Sequence, residues 1–278
     1  MLAKQLSPLL KRFSGEVAVA YRAFTSGETY THRATETVRA ASLIKLPLLV
    51  HALSEVARGG LRLEQRLPLS PDDQVGGAGV LHRLQGGLEP SLQDLLTLMI
   101  IVSDNTATNL VIDLLGLGSA NAFIQSLGMQ QTRLVGKLQL PLEKQNEAQR
   151  RGEANATCAA DVLGLLLQLQ RGDLLPPELT DLALTILKQQ QYTEALARYL
   201  PTDKELFENY VTVASKSGCL RGLWHDAGIV FAPDGTPLYV LVVMTEGSRD
   251  ESYSWEQEGM LLIAEVSREV HTRYQAQR

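Results

Sequence analysis

Ala41-Ser42-Leu43-Ile44-Lys45-Leu46-Pro47 is the stretch on which the reading of this chain turns. It opens an apolar run and sets a hydroxyl and an amine three residues apart. On a helix, side chains at that spacing share a face. A serine hydroxyl is a weak nucleophile until a base takes its proton, and an adjacent neutral lysine can be that base. Lysine shifts its pKa readily when buried, and its neighbours here are leucine and isoleucine. The amino end of the following helix favours negative charge developing near Ser42. Pro47 falls early in that helix, where a missing amide hydrogen does least harm, and Gly59-Gly60 stops it just past Ala57. Taken alone, the stretch also reads as an ordinary first helical turn.

Two later fragments change that balance. Ser103-Asp104-Asn105 follows the apolar run Leu95 to Val102, and Lys216-Ser217-Gly218 follows the strand-like Tyr210 to Ala214. Ser-x-x-Lys, Ser-Asp-Asn and Lys-Thr-Gly, in that order, are the motif set of class A β-lactamases and penicillin-binding proteins. Ser217 replaces the threonine and keeps its hydroxyl. The chain therefore resembles the class A β-lactamase and penicillin-binding-protein-like family of serine hydrolases.

Working outward, Leu2, Leu6, Leu9, Leu10 and Phe13 predict a short amphipathic helix. Residues 17–22 and 29–32 predict a strand pair turning at Ser26-Gly27. Ser91 caps a helix toward Val102, and further helices are expected over 106–115, 119–127, 157–169, 179–188 and 193–200. Between them, residues 129–156 lack periodicity, and a loop of that length inside a compact domain is usually functional. The tail reads as strands 211–214, 227–231 and 238–244, with Asp234-Gly235 as a hairpin turn, then a closing helix over 254–270.

This pattern matches the layout the resemblance implies: an α/β (α+β) fold, with an antiparallel sheet flanked by terminal helices and an inserted all-α domain. The expected division is a discontinuous α/β domain, 1–40 with 191–278, around an all-α domain, 41–190, that carries the nucleophile helix, Ser-Asp-Asn and the long loop.

The composition is that of an ordinary globular chain: 278 residues, 45% hydrophobic and 21% charged. The net charge of −5 excludes the basic footprint that nucleic acid attracts. Five histidines are scattered without metal-ligand spacing, so neither a metal nor a cofactor is expected. Two cysteines, Cys158 and Cys219, make no disulfide framework, and whether they pair stays open. No run has transmembrane length and the first residues do not read as a signal peptide. The expectation is a cytoplasmic monomer acting on a small molecule, or a periplasmic or secreted one if a leader has been removed.

The resemblance implies roles by residue. Ser42 is the nucleophile and Lys45 its base. Ser103 relays a proton to the leaving nitrogen along a path that Lys216 keeps electropositive. Asn105 holds the substrate amide and orients Lys45, Ser217 and Gly218 lie along the substrate, and the amides of Ser42 and Cys219 form the oxyanion hole. Asp104 reads as structural, an acid that caps local backbone.

Two departures stand out. The family's Glu-x-x-x-Asn element becomes Leu142-Glu143-Lys144-Gln145-Asn146, which puts leucine where the deacylating acid belongs. Glu143 is the nearest candidate, ahead of Glu147 and Glu153. The family's carboxylate-binding arginine is replaced by Trp224, with Arg221 as a substitute. The acylation parts are thus intact by residue type and the deacylation parts are not. The first reading is a serine β-lactamase. The alternatives are a related penicillin-binding, peptidase or esterase-like hydrolase with slow or absent deacylation of β-lactams, and a non-catalytic binding protein on the same fold.

Overall fold

A computed structural model describes residues 2–277. The chain begins with helix α1, Leu2–Arg12, which buries Leu2, Leu6 and Leu10. Strands β1, Glu16–Ala23, and β2, Thr29–His32, follow. A short strand β3, Val38–Arg39, leads into a 3-10 turn at Ala41–Ile44 and then helix α2, Lys45–Ala57. Ser42 therefore stands on the 3-10 turn, and the α-helix begins at Lys45.

The helical layer continues with α3, Leu92–Ile101, α4, Asn105–Leu115, and α5, Leu117–Ser126. Ser91 caps α3 in a capping box with Asp94, the signature read from sequence. After the long loop come a four-residue helix α6, Glu147–Arg150, strand β4, Ala156–Thr157, and helices α7, Ala159–Arg171, and α8, Pro177–Lys188. The chain ends with strands β5, Thr212–Leu220, β6, Leu223–Phe231, and β7, Pro237–Glu246, and helix α9, Glu258–Gln275.

Five strands form one antiparallel sheet in the order β2-β1-β7-β6-β5, while β3 and β4 pair apart from it. The sheet is covered on both faces. Ala18, Ala20, Ala227, Ile229 and Val242 join the core shared with the helical layer; Val19, Tyr21, Val230, Leu241 and Val243 join a second core with α1 and α9. Burial on both sides explains why β7 reads as a nearly unbroken apolar run. Each fully buried leucine or isoleucine in these cores contributes on the order of 1.5–3 kcal/mol. Helix α2 lies at the centre of the helical layer, with every residue from Lys45 to Ser54 buried. That position puts the Lys45 amine out of reach of water.

The differences from the sequence reading have local causes. No helix forms over 193–200; the Leu196 amide donates to Asp226 Oδ2 at 3.0 Å. Strand β5 runs through Lys216-Ser217-Gly218, because pairing with β6 extends it past its apolar start. Strand β6 likewise begins at Leu223, leaving Arg221-Gly222 as the turn. Helix α9 starts at Glu258, where the buried Gln257 side chain accepts from the amides of Gly259 and Met260. Among the described residues no single helix is long and apolar enough to cross a membrane.

Candidate active site

A cavity of about 700 Å³ opens where β5 passes the 3-10 turn, and Ser42, Ser103, Asn105, Ser217, Gly218 and Cys219 line it together. Lys45 and Lys216 are wholly buried. Three fragments far apart in sequence thus meet in one place. Close approach of β5 depends on Gly218: a Cβ there would sit 2.8 Å from the Ser42 amide nitrogen. The backbone is strained at the same cavity. Ala41, Ser103 and Gln139 line it with φ of +43°, +54° and +54°. Non-glycine residues held in that region are sparse and cluster at functional sites.

Lys45 Nζ donates to the Ser103 carbonyl at 2.6 Å and to Asn105 Oδ1 at 3.0 Å, and lies 3.1 Å from Ser103 Oγ. Burial, and then the charge of Lys216, holds the Lys45 pKa well below the usual lysine range. Lys216 Nζ donates to the Ser217 carbonyl at 2.6 Å. Burial pulls its pKa down to about 8, against the opposing pull of Asp226. Asp226 is itself buried, and burial raises its carboxyl to about 6. The site therefore holds two amines, both made easier to deprotonate by the low-dielectric interior.

Asp104 is a structural anchor. Its Oδ2 accepts from the amides of Val80 at 2.6 Å and Leu81 at 2.8 Å, and its Oδ1 caps α4 through the Ala107 amide at 2.9 Å. Gly79, at φ +106°, passes so close that a Cβ would collide with the Asp104 side chain at 2.3 Å. Asn105 Nδ2 donates to the Gly76 carbonyl at 3.1 Å, so one residue ties Lys45 to the opposite rim. His225 is packed in β6, its ring nitrogens 2.8 Å from the carbonyls of Trp224 and Arg39. Both cysteines are free: Cys158 is buried as the cap of α7, and Cys219 is exposed on β5.

Three of the residues singled out from the sequence lie elsewhere. Glu143 is exposed on a 3-10 turn, Leu142–Lys144, and does not line the cavity. Arg221 is exposed at the β5–β6 turn, where it pairs with Glu251 at 2.5 Å. Glu147 is also exposed and pairs with Arg151 at 2.8 Å. The carboxylates that do line the cavity are Glu153 and Glu194. Glu153 is held by Arg133 and Arg151 at 3.2 and 3.0 Å.

The long loop contributes amides where acids were sought. Gln139, Gln145, Gln149 and Asn155 line the cavity. Asn155 fixes the loop by accepting from the amides of Val135 and Gly136 at 2.7 and 3.0 Å, and Asn109 does the same at Leu138. Asn146, which the motif comparison picked out, caps α6 and donates to the Val135 carbonyl at 2.8 Å. Apart from Asn146, these loop glutamines and asparagines carry no spacing signal. Among the described residues no group of three or more His, Cys, Asp or Glu is placed to hold a metal.

The "Beta-lactamase enzyme family" model matches residues 1–274. The crystal structure of a beta-lactamase from Sphaerobacter thermophilus superposes with a TM-score of 0.85, at 31% identity, over 99% of this chain and 97% of that one. A PBP-A mutant, solved as an acyl-enzyme complex with penicillin-G, superposes with a TM-score of 0.84, at 28% identity, over 99% of this chain and 96% of that one. In sequence, Beta-lactamase L2 of Stenotrophomonas maltophilia is 32% identical over 127 residues; this match spans 45% of this chain and 42% of that protein.

Proposed function

This chain belongs to the beta-lactamase enzyme family, and we propose that the serine hydrolase chemistry of that family runs here through an acyl-enzyme on Ser42. The enzyme is a β-lactam hydrolase of the class A type. The observation that carries the assignment of the nucleophile is the wholly buried amine of Lys45, held by Ser103 and Asn105 beneath the cavity that Ser42 lines.

In this reading Lys45 is neutral and takes the Ser42 proton as Oγ attacks the carbonyl carbon of the lactam. The oxyanion that forms is stabilised by the backbone amides of Ser42 and Cys219, donors that typically contribute about 3 kcal/mol each. The C–N bond then breaks. The proton passes from Lys45 through Ser103 Oγ, 3.1 Å away, to the departing nitrogen. Lys216 keeps that path electropositive, and Ser217 takes a substrate carboxylate close to the strand. Asn105 fixes the Lys45 amine and meets the substrate amide. Water finally cleaves the Ser42 ester and releases the ring-opened acid. The groups given these roles all come from one chain, and the reading is of a monomer.

The test combines stopped-flow turnover of a chromogenic cephalosporin with intact-mass analysis of the quenched enzyme. The expected result is turnover with a transient adduct that maps to the Ser42 peptide. Turnover that survives in Ser42→Ala, or no adduct and no turnover at all, overturns it.

A further inference from the structure

Three glutamines in a row follow helix α8, at 189–191, and only the middle one is buried. Gln190 is 6% exposed. Burying a polar side chain costs free energy unless its hydrogen bonds are made. Gln190 makes them to backbone groups. Its Nε2 donates to the Ile100 carbonyl at 3.1 Å and to the Ser215 carbonyl at 3.3 Å, and its Oε1 accepts from the Tyr192 amide at 3.0 Å.

The two carbonyls it joins belong to fragments that carry the proposed chemistry. Ile100 lies in the last turn of α3, just ahead of Ser103. Ser215 lies in β5, directly before Lys216. One amide therefore spans the gap between the turn that presents Ser103 and the strand that carries Lys216.

The turn at Ser103 needs such support. A helix leaves its last carbonyls without partners inside it. Helix α3 has no basic residue in its last turn, and Ser103, just past its end, takes φ +54°, a left-handed position where glycine is the usual occupant. The chain after α8 supplies partners. Gln190 takes the Ile100 carbonyl, the Gln191 amide donates to the Ile101 carbonyl at 3.0 Å, and the Tyr192 hydroxyl donates to the Val102 carbonyl at 3.4 Å. Successive carbonyls ahead of Ser103 are thus held by successive residues of one segment. Farther along, the Leu196 amide on Asp226 Oδ2 fixes the same segment to β6. A non-glycine residue persists in the left-handed region when its surroundings over-determine it, and here they do.

Such fixing matters to a proton relay. Ser103 Oγ must face both Lys45 and the departing nitrogen, with Lys216 near enough to keep the path electropositive. Lys45 holds the Ser103 turn from one side, through the Ser103 carbonyl. That contact does not set the distance to β5, whereas the Gln190 bridge does. A misplacement of about 1 Å in such an arrangement can cost on the order of a hundredfold in rate.

We propose that Gln190 is a positioning residue of the reaction, the spacer that holds the Ser103 turn and the Lys216 strand at the separation that proton delivery to the leaving nitrogen requires. The inference rests on the roles given to Ser103 and Lys216 in the acyl-enzyme reading.

Acylation by two lactams, followed by intact mass, tests it. Benzylpenicillin leaves a basic amine nitrogen and needs it protonated. An N-sulfonated monocyclic lactam leaves a weakly basic nitrogen and depends on the relay far less. Gln190→Met keeps the size and removes the hydrogen bonds. It is expected to slow acylation by benzylpenicillin at least about tenfold and by the sulfonated lactam less than about threefold, the pattern of a weakened general acid. With Gln190→Met and Ser103→Ala combined, the penicillin rate should stay within about twofold of Ser103→Ala alone, because the spacer acts through Ser103. Gln190→Asn, polar but one methylene too short to span both carbonyls, should show the same selectivity, and thermal melts identify a variant that fails to fold. Equal slowing with both lactams, losses that multiply in the double variant, or a smaller than tenfold loss with benzylpenicillin overturns the inference. Ser103→Ala that acylates at the parent rate strikes instead at the proton path on which the inference rests.

Discussion

The two walls of the Ser42 cavity are built on different physical plans. On one side stand α2, the Ser103 turn and β5, all rigid and mostly buried. Its charged groups have defined partners: Lys45 on Ser103 and Asn105, Lys216 on the Ser217 carbonyl, Asp104 on three amides. On the other side lies the long loop, held by amide side chains to its own backbone, with its acids exposed or committed to arginines. The first wall can fix a protonation state by burial. The second can fix the position of a chain, but it exposes Glu143 to water. The lesson is that the two halves of an acyl-enzyme cycle need different things: a perturbed amine for acylation, and a placed carboxylate or an equivalent for the attack of water.

The strongest way to break this comparison is to remove the buried amine. Lys45→Ala is expected to lower acylation by at least about a thousandfold, because it takes away the base and leaves Ser103 and Asn105 facing a void. Single-turnover kinetics with a chromogenic cephalosporin reads the loss, and a thermal melt separates it from unfolding. A decrease of less than tenfold would mean that the rigid wall does not supply the base.

Next is the pH profile of kcat/KM, which reports the free enzyme. Lys45 must be neutral, so the rate rises as pH climbs through its lowered pKa. Lys216 must be charged, so the rate falls as pH passes about 8, where its ammonium is lost. The expected curve is a bell whose alkaline limb lies near 8, well below the ordinary lysine range. Lys216→Ala should drop the rate by about a hundredfold and abolish that limb. A limb that survives the substitution would assign it to another group.

Gly218→Ala sharpens the comparison at smaller cost. Its Cβ would press on the Ser42 amide at 2.8 Å, so β5 must withdraw from the nucleophile. About a tenfold loss in acylation with little change in melting temperature is expected. An unchanged rate would show that the approach of β5 is not needed.

The same contrast explains what the sequence could say in advance. Ser42, Lys45, Ser103, Asn105 and Lys216 could be picked out because they fall in the three motifs that carry the family resemblance, each at the edge of an element whose hydrophobic pattern is visible. The five-stranded sheet and the main helices were readable for the same reason, with Ser91 and Asp234-Gly235 marking a helix start and a hairpin turn. The extension of β5 through Gly218 was not, since polar residues hold that strand by pairing with β6 and not by pattern. The loop was least readable. Gln149 and Asn155 act through backbone contacts that leave no period, and the aromatic side chains that line the cavity unite Tyr192, Trp224 and Trp255 from three separate segments.

The smallest effect is expected where the motif comparison pointed most directly. Glu143 is the acid nearest to the family's deacylating position in sequence, yet it stands on an exposed 3-10 turn outside the cavity lining. A carboxylate there faces solvent and is not among the groups that line the cavity with Ser42. Glu143→Gln keeps size and hydrogen-bonding capacity and removes only the charge, so turnover and adduct lifetime should both stay within about twofold of the parent enzyme. Adduct decay followed by intact mass decides the point. A tenfold longer-lived adduct would mean that the loop swings Glu143 inward during catalysis, and the soft wall would then be the one that does chemistry after acylation. An unchanged lifetime leaves the water-activating role to groups already facing the cavity, with Glu153 and Glu194 as the carboxylates placed there.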